Sequence, residues 1–494
     1  MTSLVDTQPL RSQRVAAPDH ERRWLVLAVI AVCQLMIVLD SSIVNIALPH
    51  AQRSLGISDA DRQWVVTAYT LGFGGLLLLG GRIADYLGRK RVFVLGLGGF
   101  AVASALGGIA PSAGVLFAAR GLQGVFAAMM APAALSLLAN TFTEPGERAK
   151  AFSVYGGISG GGAAVGLVLG GLLTEYANWR WCLLVNTPIA LVTAVCALRL
   201  ISDDRGTRGR SYDIRGAVAI TVGLVALVYG FTQAGSHGWG APVTLALLAV
   251  GVALIAAFVI NESRVDAPLL PLRVPLDRNR GGAYLAALLS AMGLFGMFLF
   301  LTYYLQGTLH YSALKTGFAF LPFSMGIFVG AGLTSQLLPR VGPRNLLAPG
   351  LLLAAVGLVW FAQIDVHSSY LVHVVPAELI VSVGMGLAFV TVASTALVDV
   401  APEDSGVASA LVNANQQIGG SLGTALLNTV AASATARYVT SHHGALPEGL
   451  VHGYRVAFWI SAGILLAGAI AAAGLIRAGR DDLPQGDEAA AGAL

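Results

Sequence analysis

The chain has 494 residues, 56% of them hydrophobic and 11% charged, with a formal net charge of +4 and a mean hydropathy of +0.73. These values exclude a soluble enzyme with a large core and describe a polytopic membrane protein. A pI near 9.0 would suggest nucleic acid in a soluble chain, but here the basic residues are scattered through short loops, so membrane orientation accounts for them and no nucleic-acid partner is implied.

Taken in order, the first 23 residues are a polar tail, and no separate apolar region precedes Trp24, so no cleaved signal peptide is expected. Apolar runs then fall at 24–46, 63–81, 92–110, 114–138, 151–174, 181–200, 214–234, 241–261, 281–306, 316–338, 346–363, 371–398, 407–431 and 454–476. That makes fourteen candidate spans, each long enough to cross a bilayer at about 1.5 Å per residue. An even number places both termini on one side. The positive-inside rule says which: with a cytoplasmic N-terminus, 23 of the 30 basic residues fall inside and 6 outside, and Arg120 lies within a span.

Two charged inside loops, Ser202–Asp213 and Glu262–Arg280, divide the spans six, two, six. The expected units are a tail of 1–23, an N-terminal half of 24–201, a linker with two inserted helices at 202–263, a C-terminal half of 264–478 and a tail of 479–494. An internal repeat supports the division. The loop after span two, Gly81-Arg-Ile-Ala-Asp85-Tyr-Leu-Gly88-Arg89-Lys90, is echoed after span ten by Ser335-Gln-Leu-Leu-Pro339-Arg-Val-Gly342-Pro343-Arg344. Halves built from repeats are the plan of secondary transporters.

Candidate chemistry lies where an apolar run breaks its own pattern. Span one contains Asp40, and a carboxylate deep in a spanning helix costs about 2.5–3.5 kcal/mol on insertion scales. At about 100° per residue, Gln34, Ser41 and Asn45 share one face of that helix and Asp40 points away from them. Span one therefore packs on protein and borders an aqueous cavity; the alternative is a helix-end carboxylate snorkelling to the interface. On span four Arg120 and Gln123 share a face at i, i+3, and a buried guanidinium there needs an acceptor, for which Asp40 is the membrane carboxylate in the same half. An arginine snorkelling to the outer surface is the competing reading. Glu378, near the outer end of span twelve, is either a second intramembrane carboxylate or an interfacial acid.

Span thirteen carries Ser409, Asn413, Gln416 and Gly420 at i, +4, +7, +11, a stripe that lines a substrate path or joins helices. Asn413 and Gln416, with Gln417, Gln34, Asn45, Tyr69, Gln123, Tyr304 and Gln306, form a candidate cavity for bulky amphiphiles or cations. Gly162, Gly166 and Gly170, with Gly171, give span five a small-residue stripe for close helix packing. Cys33, Cys182 and Cys196 sit in apolar runs without metal or redox spacing, and His442-His443 lies in an outside loop without partners, so no metal is expected. No G-x-x-x-x-G-K-[ST] loop occurs, so neither an ATP-driven pump nor a cofactor is expected.

The Gly81–Lys90 loop is similar to the G-x-x-x-D-x-x-G-R-[RK] signature of the major facilitator superfamily. Leu39-Asp40-x-Ser42-Ile43-Val44-Asn45-x-Ala47-Leu48-Pro49 resembles the first-helix motif of its fourteen-helix drug:proton antiporters, the EmrB/QacA type. Arg120-Gly-Leu-Gln123-Gly124, Trp179-Arg180-Trp181 with Asn186 and Pro188, and Gly406-x-Ala408-Ser409 with Gln416-Gln417-x-Gly419-Gly420 match it too. The resemblance implies an all-α major facilitator fold of fourteen helices (6+2+6) in the cell membrane, both termini cytoplasmic, working as a monomer. It implies a non-enzymatic exporter of amphiphilic or cationic drugs and antibiotic-like molecules, driven by the proton-motive force. It assigns proton handling to Asp40 and Arg120; Glu378, as a second intramembrane carboxylate, is a further proton-coupling candidate, and Gly81, Asp85, Gly88, Arg89 and Lys90 would gate the conformational change. One motif departs: the helix-five antiporter signature G-x-x-x-G-P-x-x-G-G has Leu167 where proline is expected. A symporter or uniporter of one metabolite is therefore the alternative on the same fold.

The charge bias yields a direct test. Single cysteines replacing Ser236 and Arg208 in a cysteine-free background should label from outside and inside respectively; equal sidedness would overturn the fourteen-span map.

Overall fold

A computed structural model describes residues 20–59, 61–142, 144–202, 213–265, 268–400, 404–442 and 446–480. Most of the expected tails and of the first charged loop, including Arg208, lies outside the described residues, and the first helix extends back into the expected N-terminal tail as far as His20. Every apolar run is helical: α1 (His20–Leu55), α2 (Trp64–Leu87), α3 (Arg89–Gly108), α4 (Ala113–Thr141), α5 (Pro145–Tyr176), α6 (Trp181–Leu184), α7 (Asn186–Leu200), α8 (Ile214–His237), α9 (Pro242–Glu262), α10 (Arg278–Tyr303), α11 (Ala313–Ala319), α12 (Leu321–Val341), α13 (Arg344–Phe361), α14 (Val375–Thr395), α15 (Ser405–Ser441) and α16 (Leu446–Leu475). α6 with α7 makes one crossing, as does α11 with α12. Thirteen crossings are long and apolar enough to span a bilayer by composition alone. The fourteenth, α15, has ample length at 37 residues, but Asn413, Asn415, Gln416, Gln417 and Asn428 dilute its apolarity. It tolerates them because α2, α8, α10 and α16 surround it.

Local chemistry sets the helix starts. Asp277 accepts from the backbone N–H of Asn279 and Arg280 at 3.0 Å each, capping α10, and Ser312 accepts from Lys315 N at 3.2 Å, capping α11. Asp213 caps α8 through Gly216 N at 2.8 Å. The two echoed loops share one backbone device: Gly88 ends α2 at φ +96° and Gly342 ends α12 at φ +78°, a region that glycine enters without strain.

The repeat extends to packing. In the first half α1 lies against α5 and α7, α2 against α4, and α3 against α4 and α7. In the second half, α10 lies against α15 and α16, α12 against α14, and α13 against α14 and α16. Those are the same five pairings, displaced by eight crossings. The inserted hairpin α8–α9 lies outside both sets, and α8 touches α2 and α15, one helix from each half.

The halves meet tightly at the end away from the termini. A Cβ added to Gly171 of α5 would lie 2.6 Å from Ala313 O, and one added to Gly317 of α11 would lie 2.6 Å from Leu167 O, so backbone rests on backbone. Glu175 accepts from Leu314 N at 2.8 Å, meeting the first turn of α11. Gln306 donates to Ile46 O at 3.0 Å, and the Tyr303 hydroxyl donates to Gln52. Arg62 donates to the Asn428 side chain at 3.0 Å and lies 4.0 Å over the Tyr303 ring.

Close packing inside each half predicts asymmetric effects of one extra methyl group. A Cβ on Gly124 of α4 would collide with the Tyr69 carbonyl of α2, whereas one on Gly98 of α3 meets nothing within 4 Å. Gly124→Ala should destabilise by about 1–3 kcal/mol. Gly98→Ala should leave stability level or raise it, since alanine favours a helix by roughly 1 kcal/mol over glycine. Thermal unfolding of both variants in detergent reads the difference.

Candidate functional site

Asp40 sits in the middle of α1, on the side facing α4 and α7, with no solvent exposure. Its Oδ2 accepts from Arg120 Nη1 of α4 at 2.6 Å. Oδ1 accepts from Gln123 Nε2 at 3.0 Å and from Asn186 Nδ2 of α7 at 2.7 Å. Arg120 is 1% exposed. It donates through Nε to Val65 O at 2.8 Å and through Nη1 to Gln123 Oε1 at 2.8 Å, and its guanidinium lies 4.5 Å over the Tyr69 ring. Gln123 Nε2 also reaches Ser104 Oγ of α3 at 2.8 Å. Helices α1, α2, α3, α4 and α7 thus converge on one ion pair inside the first half. Two polar atoms at its edge, Tyr69 OH and Asn186 Oδ1, are buried without a hydrogen-bond partner.

The sequence signals for this cluster were uneven. Asp40, Arg120 and Gln123 come together as their spacing suggested. Asn186 carried a signal only through the family motif. Ser104 is one hydroxyl in an apolar run, and the Val65 acceptor is a carbonyl, so neither stood out.

Other candidates fall elsewhere. Glu378 is on α14 in the second half, fully buried, with neither carboxyl oxygen partnered, so it does not join Asp40 and Arg120. Tyr69 and Gln123 belong to the ion-pair cluster rather than to a cavity wall. Tyr304 is enclosed in the second half and donates to Asp365 O at 2.8 Å. Gln306 bridges the halves at the closed end. Gln34, Ser41 and Asn45 share a partly exposed face of α1. On α15 Asn413 is exposed, Gln416 is half-buried, and Gln417 packs against Gly74 of α2.

In the loop after α2, Gly81 lies against Pro132, Gly88 makes the turn, and Arg89 and Lys90 open α3; the Asp85 side chain lies outside the described residues. Gly162, Gly166 and Gly170 pack on Val38, Ser42 and Ile43 of α1, while Gly171 turns to α11. Among the described residues no three His, Cys, Asp or Glu side chains gather where a metal ion could be held.

Two helical halves related by an internal repeat, meeting across an amide-bearing seam with a buried ion pair in one of them, define a secondary-transporter architecture. A family model for the Major Facilitator Superfamily matches residues 30–424, and the chain belongs to that family, as a multi-pass membrane protein. It is 52% identical over 475 residues to the puromycin resistance protein pur8 of Streptomyces alboniger, covering 95% of this chain and 94% of that one. It is 38% identical over 430 residues to the cephamycin export protein CmcT of Amycolatopsis lactamdurans, covering 85% and 87%. Among solved structures, a bacterial homologue of the human lysosomal transporter Spinster matches with a TM-score of 0.65 at 16% identity, over 94% of this chain and 99% of that one, a likeness of fold.

The cluster's energetics can be tested apart from transport. Removing one partner of a buried ion pair leaves an uncompensated charge, at a cost of about 3–5 kcal/mol. Asp40→Ala should therefore lower the unfolding temperature sharply, and adding Arg120→Leu to it should restore part of the loss. Equal, additive losses would contradict the pairing.

Proposed function

We propose that the chain exports amphiphilic, antibiotic-like small molecules from the cytoplasm in exchange for protons, as a monomer with both termini cytoplasmic, and that it is not an enzyme. The single observation that carries this reading is the buried Asp40–Arg120 pair in a protein 52% identical to an antibiotic resistance protein. The arrangement fits alternating access, in which the halves rock about the seam. In the conformation described, the end away from the termini is shut by α5, α11 and the Arg62 contacts. The positive-inside bias makes that the outer end, so the cleft would load from the cytoplasm.

Asp40 holds three donors while ionised. A proton on Asp40 removes the ionic attraction of Arg120, whose guanidinium still has Val65 O and Gln123 Oε1 to bind. The tie between α4 and α1 then weakens without stranding the arginine, and α1 is free to shift against α4 and α7. Tyr69 OH and Asn186 Oδ1, each with unused bonding capacity, sit where a proton or a water would reach the pair. Glu378 is a second intramembrane carboxyl, on α14 of the second half, with neither oxygen partnered. One charge crossing 100 mV supplies about 2.3 kcal/mol, before any pH gradient is counted.

Asp40→Asn keeps the size of the side chain but holds no exchangeable charge. In proteoliposomes with an imposed pH gradient, export by this variant should fall by about tenfold or more, while binding of the same compound changes by less than about threefold. Undiminished proton-coupled export would overturn the assignment.

A further inference from the structure

This inference rests on the export reading and concerns what the cleft accepts. The α1 face bearing Gln34, Ser41 and Asn45 continues at helical spacing to Gln52, whose side chain meets Tyr303 of α10 in the other half. At that end the face is turned toward the second half. On α15, Ser409, Asn413, Gln416 and Gly420 lie between two flanks. Gln417 packs on Gly74 of α2 to one side, and Gly419 and Gly423 pack on Leu288 and Met292 of α10 to the other. Half-buried Phe295 of α10 covers Gly420. Exposed amide groups midway along a spanning helix are not left facing acyl chains, so both stripes border water between the halves.

Charge is missing from this surface. Among the described residues, the carboxylates that lie within the spans rather than at their ends are Asp40 and Glu378, both fully buried, and Arg120, 1% exposed, is paired with Asp40. Asp40 and Arg120 sit behind α1, on the side away from its amide face, and Glu378 is enclosed in the second half. The buried ion between the halves at the closed end is Arg62, itself a cation, held by Asp59 and Asn428. We propose that the cleft takes its substrate in an uncharged form, as an aromatic amphiphile whose amide, hydroxyl or carbonyl groups pair with Gln34, Asn45, Asn413 and Gln416. Asparagine and glutamine offer donors and acceptors together, which suits such groups. An organic cation would shed its hydration with no carboxylate to replace it, and attraction to the Phe295 ring is a smaller effect than that loss. Proton and substrate then occupy separate places, and they communicate through α1.

The test measures binding to the full chain in nanodiscs, with empty nanodiscs as blank. Chloramphenicol and Nile red are the uncharged probes; tetraphenylphosphonium and ethidium are the permanent cations. The uncharged probes should bind at least about tenfold more tightly than the cations, a difference of about 1.4 kcal/mol. Asn413→Asp, and independently Gln416→Glu, should raise tetraphenylphosphonium affinity by about tenfold or more. Cations binding as well as or better than the uncharged probes, no binding of either uncharged probe, or no gain in either properly folded variant would overturn the proposal. Export of the same probes from proteoliposomes is scored separately. Uncharged probes that bind but are not exported would count against the export reading and leave this inference standing; exported cations would do the reverse.

Discussion

An aspartate and an arginine that both lie in the hydrocarbon layer have to find each other, and much of the first half is arranged so that they do. Neither side chain alone is tolerable at that depth, and an ion pair removed from water recovers its desolvation cost only when the remaining donors and acceptors are also satisfied. Here the partners of Asp40 on α1 come from four other helices: Gln123 and Arg120 from α4, Asn186 from α7, Ser104 from α3, and the Val65 carbonyl and Tyr69 ring from α2. Glycines such as Gly124, set against the Tyr69 carbonyl, let α2 and α4 approach closely enough for Arg120 to reach Val65 O. Among the described residues no such pair forms around Glu378, whose carboxyl oxygens are buried without a hydrogen-bond partner. One half is thus built on an ionic core and the other on an apolar one holding an acid.

That contrast explains which parts of the molecule were legible in sequence. A charge within an apolar run is expensive, so Asp40, Arg120 and Glu378 announce themselves, and helical spacing correctly set Asp40 on the opposite side of α1 from Gln34, Ser41 and Asn45. The turn at Gly88 and its echo at Gly342 were readable because a positive φ selects glycine. Spacing along one helix does not say which neighbour a face meets. Tyr69, Gln123 and Tyr304 looked like cavity residues for that reason and turn out to be inside the halves. Ser104 and the Val65 carbonyl carry no compositional signal at all. The closed end was invisible too: it is made by the backbones of Leu167 and Gly171 on α5 and of Ala313 and Gly317 on α11, where two helices from the two halves meet. Leu167, a departure from the expected motif, is buried within that seam, and its carbonyl is what Gly317 rests on.

Separating the ion pair from the amide-lined cleft constrains any coupling scheme. Under the proposed function, a proton arriving at Asp40 would not displace cargo from a shared carboxylate; it would change how firmly α1 is tied to α4 and α7. Because α1 also carries the amide stripe, and at its far end Gln52 and the Ile46 carbonyl that meet Tyr303 and Gln306, one helix joins the Asp40–Arg120 pair, the amide face and the closed end. The coupling energy then equals the difference in proton affinity between the two arrangements of the halves, and it is the same whether read from the proton or from the cargo.

The hairpin α8–α9 gives the molecule a front and a back. The two halves alone are related by repetition, and each would offer the bilayer two equivalent flanks, one along α2 and α15 and one along α5 and α12. Because α8 touches both α2 and α15, the first flank is shuttered. The seam along α2 and α15 is thus covered by an extra helix while the seam along α5 and α12 is not, and two flanks that repetition alone would make alike face the bilayer as different surfaces.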